Sequence, residues 1–357
     1  MYDGPIVRQS SPRPITDTNG PHSPSNEHYL APISSSAHAQ NVSSRNSPEP
    51  GAIDFEGNYL GPSSGISFLS RAWRRLHEDS KLSIPAGLQN ELSQNGSVFN
   101  FGDRPFSASA NPDVVLPSRQ IAADLITMYF DLAVVTYRVL HRGTLEAWLS
   151  DLYDIGDPLK TRIKRSTAGR AAVVFSVFAV ARLHQGDETE PREANSEHWF
   201  RAADHMISIQ TGPPTIETAQ AKFIQCLYLL SSSRANQSWY TFGTTVQLML
   251  ALGVHRKKGQ IASRADSGYI HNELRKRLYW SAYTLDKYMS VMLGRPRHLQ
   301  DESTDQEYPD EVNDEDMTPT GPTRYRDLSD CAITGFVFHV KSVFPSHSPY
   351  RPPTKQK

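Results

Sequence analysis

Residues Glu273 to Asp301 read ELRKRLYWSAYTLDKYMSVMLGRPRHLQD. No Pro or Gly interrupts the run from Glu273 to Leu293, and Leu274, Leu278, Leu285, Met289 and Met292 recur at helical spacing. Tyr279, Trp280, Tyr283 and Tyr288 widen the apolar surface beyond one stripe. A helix apolar over so much of its circumference is expected at the centre of a domain. Gly294 suits a left-handed C-cap, and Pro296 blocks continuation. These residues predict a buried helix with a hard stop, and they predict no chemistry.

The wording of the stretch carries more. Basic Arg275 and Arg277, then Trp280, Tyr283, Leu285, Asp286, Ser290, Leu293, Gly294, Arg295, Pro296 and finally Asp301 follow in order. Upstream stand Leu140-His141-Arg142, and Gly243 followed by Leu252-Gly253-Val254-His255-Arg256. Together these blocks resemble the fungal-specific transcription factor domain, the helical middle region of fungal zinc-cluster regulators. The resemblance implies an all-α, multi-helix regulatory domain, nuclear and not an enzyme, that acts with the transcription machinery or co-regulators. A small-molecule effector and a homodimer are compatible with it. DNA is contacted in that family through a separate module in which six cysteines hold two zinc ions, with thiolates as suitably soft ligands.

Composition bounds the rest. Hydrophobic residues make up 38% of 357, and 25 prolines argue for unstructured segments. A net charge of −1 provides no general attraction to nucleic acid. Cys226 and Cys331, the two cysteines, stand far apart and cannot make the zinc cluster. No cofactor or metal is therefore expected in this chain, and zinc belongs to the absent module. The N-terminus lacks the apolar core of a signal peptide, and no run reaches transmembrane length, so no membrane partner is expected.

Along the chain, residues 1–65 are rich in Ser, Pro, Asn and Gly and read as a disordered arm. Residues 66–115 read as a linker with one short helix at Ile66–Leu76. The helical domain is expected over 116–310. Ser118 starts a helix carrying Ile121, Leu125, Met128 and Leu132, and Thr144 caps the next. Further helices are expected at Ser166–His184, Glu197–Ile209, Thr215–Leu230 and Ser238–Leu252. The acidic run beyond Asp301 reads as a solvated loop. Residues 311–357 read as an incomplete C-terminal extension, with one more helix beginning within Arg324–Val340.

Chemistry-bearing patterns are few. Gly61-Pro62-Ser63-Ser64-Gly65 spells a nucleophile elbow, which needs a strand before it and a helix after it; here it lies in disordered surroundings. His198 and His205 share a helix face without a second ligand pair. His255-Arg256-Lys257-Lys258 and Arg275-Lys276-Arg277 could contact phosphate or pair with Glu273, Asp286 and the acidic loop beyond Asp301. The aromatic-rich helix favours pairing. Arg295, between Gly294 and Pro296, is expected to serve structure. It would donate to open carbonyls of its own helix, or take the carboxylate of Asp286 or Asp301.

Overall fold

The computed structural model describes residues 59–65, 67–68, 106, 115–133, 135–155, 165–185, 196–210, 212–257, 268–324 and 331–343. All belong to one unit, Glu49–Lys357. The helices are α1 (Arg119–Met128), α2 (Arg142–Ile155), α3 (Arg165–Gln185), α4 (Ser196–Ser208), α5 (Ile216–Ser231), α6 (Ala235–Ala251), α7 (Tyr269–Leu293) and α8 (Ala332–Val343). The one pair of strands described, β1 (Met317–Thr318) and β2 (Gly321–Pro322), is antiparallel and two residues long on each side. The all-α expectation holds.

The hub of the bundle is α3 rather than the helix quoted above. From Ala171 to Ala181 every residue of α3 is fully buried or nearly so, almost all of them Ala, Val or Phe. Small residues let α4 and α5 approach closely, and α1 and α2 complete the surround. Trp199 of α4 packs between Phe175 and Phe178, with ring centroids 5.5 and 5.1 Å away. On the other side, α5 passes the packing on to α6, and α5, α6 and α8 support α7.

Local signals set the helix ends. Ser118 caps α1 by accepting from Ile121 N–H. Thr215 and Thr218 form a reciprocal capping box on α5. Gly294, at φ 65°, closes α7 in the left-handed conformation.

Several expectations need correction. The buried stripe of α1 is Ala122, Leu125 and Ile126, continued by Tyr129 and Phe130, whereas Ile121 and Leu132 are exposed. A π-turn at Tyr129–Ala133 shifts the register by part of a turn and rotates Leu132 outward. Helix α2 starts before Thr144, because the ring of His141 takes the capping role: its Nδ1 accepts from Thr144 N–H at 3.1 Å. Residues 59–61, inside the expected arm, pack on the domain, with Leu60 buried against Ala235 and Leu293. Phe106, inside the expected linker, stacks on Phe200 at 5.1 Å under the guanidinium of Arg234. The domain also runs past residue 310, since Val312, Ile333, Phe336, Val337 and Val340 are core residues. Residues 1–58 and 344–357, and the short helix expected at Ile66–Leu76 apart from residues 67–68, lie outside the described residues.

Candidate functional site

Helix α7 is buried, yet it carries charge into the interior. Glu273, Lys276 and Arg277 are all nine-tenths or more buried. A buried charge must be paired and hydrogen-bonded or it is expelled. The acidic run 301–316, expected to be solvated, supplies the partners by wrapping along α7.

Arg277, with no side-chain exposure, donates through Nη1 to Asp314 at 2.6 Å and through Nη2 to the Val312 carbonyl at 3.0 Å. Asp314 also accepts from Arg142 N–H at 2.8 Å. Burial alone would raise the Asp314 carboxyl, but the Arg277 charge and these donors hold it below the usual carboxylate range. Beside it, Lys276 bridges Glu273 at 2.5 Å and Asp310 at 3.4 Å, while Glu273 accepts from Asp310 N–H at 2.8 Å. Burial outweighs Lys276 for Glu273, whose carboxyl is pushed up. Trp280 donates its indole N–H to the Glu307 carbonyl at 2.8 Å and stacks on Tyr308 at 4.7 Å. Tyr283 donates to Asp301 at 2.8 Å, and Arg297 pairs with the same carboxylate oxygen at 2.9 Å. Asp286 holds the return turn by accepting from His298 N–H at 3.0 Å and Leu299 N–H at 2.8 Å.

The two upstream blocks come to this same place. His141 bridges Thr144 and the Asp314 carbonyl; since Nδ1 accepts from the Thr144 amide, Nε2 carries the proton it gives to that carbonyl at 3.0 Å. The carbonyls of residues 252–256 are satisfied in turn. Arg275 donates to Leu252 and Gly253, Gln306 to Val254 and Arg256, and Thr304 to His255. Gly243 leaves room for the His298 ring, which an added Cβ would meet at 3.3 Å.

Arg295 is buried, as expected of a structural residue, but with neither partner foreseen for its side chain. Its Nε donates to the Tyr59 carbonyl at 2.9 Å, its Nη2 to Asn236 Oδ1 at 2.6 Å, and the guanidinium lies 4.9 Å from the Trp239 ring centroid. Asp286 and Asp301 are already engaged by backbone amides, Tyr283 and Arg297. Ser290 bonds back to the Lys287 carbonyl, and Pro296 is exposed at the turn.

Of the basic runs, Arg275, Lys276 and Arg277 point inward to protein acceptors, which removes them from the phosphate reading. Arg256 and Lys257 pair at the surface with Asp305 and Glu307. In the elbow-like run, Ser64 rather than Ser63 is the engaged residue: it caps a helical turn by accepting from Ser67 N–H at 3.1 Å. Among the described residues no group of His, Cys, Asp and Glu is arranged to hold a metal ion. Cys226 is fully buried, and burial pushes its thiol up to about 12. Among the described residues, no helix is long and apolar enough to cross a membrane.

Helices around an apolar hub, with one charged helix fastened by a returning acidic segment, define an all-α domain whose unusual polar residues face one another. The chain belongs to the fungal specific transcription factor domain family, whose model matches residues 126–346. It is 23% identical over 273 residues to the transcriptional activator protein acu-15 of Neurospora crassa, covering 76% of this chain and 27% of that protein. It is 29% identical over 238 residues to the activator of stress genes protein 1 of Candida albicans, covering 63% of this chain and 24% of that protein. The Saccharomyces cerevisiae activator of stress genes 1 is 27% identical over 210 residues, or 57% of this chain and 21% of that protein. The chain thus spans about a quarter of the length of these curated relatives. No solved structure is significantly similar to it.

Proposed function

We propose that this chain is the regulatory, middle-homology region of a fungal zinc-cluster factor that controls transcription by RNA polymerase II in the nucleus. The observation that carries this reading is the family match together with the inward orientation of its basic signature residues. Arg275, Lys276 and Arg277 meet carbonyls and carboxylates of the same chain, so they support architecture rather than phosphate contact. Arg275, Arg277, Trp280, Tyr283, Asp286, Ser290, Gly294, Arg295, Pro296 and Asp301 serve structure in this reading. DNA and zinc are handled by a six-cysteine module that these residues do not form, and the domain works through co-regulators or the transcription machinery.

The test is a fusion of the chain to an unrelated DNA-binding module, read out on a reporter in a fungal nucleus. A change in reporter output that needs the chain, with no specific DNA footprint and no stoichiometric zinc for the chain alone, supports the reading. A footprint by the isolated chain, or zinc lost on Cys226→Ser, would sink it.

A further inference from the structure

The turn that ends α7 is occupied. Gly61 N–H donates to the Leu293 carbonyl at 3.0 Å, and Arg295 Nε donates to the Tyr59 carbonyl at 2.9 Å. Between these two backbone contacts, Leu60 drops its side chain into a small apolar pocket made by Ala235 and Leu293, with Leu230, Trp239 and Met292 around it. The crossing of the two chains is so close that a Cβ on Gly61 would lie 1.8 Å from the Gly294 carbonyl oxygen, and one on Gly294 would lie 2.6 Å from Gly61 Cα. Tyr59 itself is 58% exposed, so only its carbonyl is recognised. What the site reads is therefore a Leu-Gly pair in a defined backbone conformation.

Two further features describe a ligand and its receptor. Ser64 N–H and the Ser67 hydroxyl both donate to the Gly61 carbonyl, at 2.9 and 3.0 Å, and Ser64 caps the turn that follows. The segment thus arrives with its conformation largely set, which lowers the entropic cost of docking. Leu60, Ala235 and Leu293 form a small cluster of their own beside the main core, with Leu230 and Trp239 packing against both. Undocking would expose Leu60 without opening the bundle.

We propose that the Leu293-Gly294-Arg295 turn, with α6, is a recognition site for an extended Leu-Gly peptide. Residues 59–61 fill it in cis, so that the segment acts as a releasable latch on the regulatory domain. This proposal does not depend on which genes or partners the domain serves.

The probe is a fluorescent peptide of residues 57–68, added to the full chain. Gly61→Val in the chain blocks its own segment. The peptide is expected to bind this variant at least about tenfold more tightly than wild type, whose tethered segment competes at a millimolar-range effective concentration. A peptide carrying Gly61→Val should bind neither. Equal binding to both chains, or none to a Gly61→Val chain that keeps its helical circular dichroism, overturns the proposal. If that variant fails to fold, the wild-type chain decides. Chymotryptic cleavage after Tyr59 and Phe68 should be slow and should accelerate with excess peptide. Cleavage as fast as in the free peptide overturns the latch. A wild-type dimer that becomes monomeric on Gly61→Val would place the segment on a second copy and overturn the cis assignment.

Discussion

Helices α3 and α7 are both buried, for opposite reasons. In α3 the interior is made by Ala, Val and Phe, and association is driven by apolar area removed from water. In α7 the buried face includes Glu273, Lys276 and Arg277, and burial is tolerated because the 301–316 segment delivers a partner to each. One helix would pack against any well-shaped apolar neighbour. The other requires its own particular neighbour, and loses more when a single member is removed than when a pair is replaced together.

The contrast is broken most strongly by Trp280→Ala, which combines both kinds of burial. It removes a fully buried ring and leaves the Glu307 carbonyl without its donor, so a loss near the top of about 3–5 kcal/mol is expected in urea denaturation. An unchanged midpoint would mean that the ring is not buried. Arg277→Ala follows, at roughly 3–4 kcal/mol, because Asp314 is left charged in a closed site but retains the Arg142 amide. The double change with Asp314→Ala should cost clearly less than the sum of the two singles. Additivity in that cycle would show that the pair is not coupled.

Arg295→Lys comes next, with about 1–3 kcal/mol lost, since an ammonium cannot reach Tyr59 and Asn236 in the same fork geometry. Thermal denaturation with and without added small molecules checks this; full stability with a lost inducer response would assign Arg295 to a ligand. Acid should then separate the helices. The Asp314 carboxyl is depressed in the folded state, so its contribution is present above its ordinary value of 3.8 and is lost as pH falls through the lower folded value. Glu273 has the opposite sign: its raised carboxyl disfavours the folded state above its ordinary 4.5, and that penalty is relieved on acidification. Hydrogen exchange should therefore show α7 loosening before α3 only once the pH is below the Asp314 value. Protection lost together in both would erase the distinction. Asp154→Ala gives the smallest effect, within about 0.5 kcal/mol, because its 3.5 Å pair with Arg119 is well exposed.

The sequence made α7 legible because its boundaries are local: an uninterrupted periodic run, Gly294 and Pro296. Its neighbours were legible only in part. The basic run is expected to pair with Glu273 and the acidic loop, as it does, but which acid meets which base depends on chain folding over a distance. Nothing in the wording of DEVNDEDM (residues 310–317) says that Asp314 is drawn under a buried arginine, and a run of acids ordinarily means solvent. The only available hint was an excess of buried-helix cations needing partners. A helix over Ser166–His184 is expected from the sequence, but its role as hub depends on being buried on every side from Ala171 to Ala181, which only its neighbours reveal. Leu60 was missed because one leucine among Ser, Pro and Gly carries no periodicity. The π-turn after α1 was missed because a register shift leaves no compositional mark.

The fastening of α7 also bears on how the chain reaches its native state. The His141–Asp314 contact joins residues 173 apart, and Arg295–Tyr59 joins residues 236 apart. Contacts of such long range are slow to form, whereas α3, α4 and α5 can assemble from neighbouring segments. During synthesis α7 must therefore wait, with Arg277 lacking Asp314 and Lys276 holding only Glu273 of its own helix, until residues 310–314 have left the ribosome. A chain ending before residue 310 should hold a protease-resistant α3–α5 bundle beside an unprotected α7, so the acidic residues 310–316 act as the timing step that fastens α7.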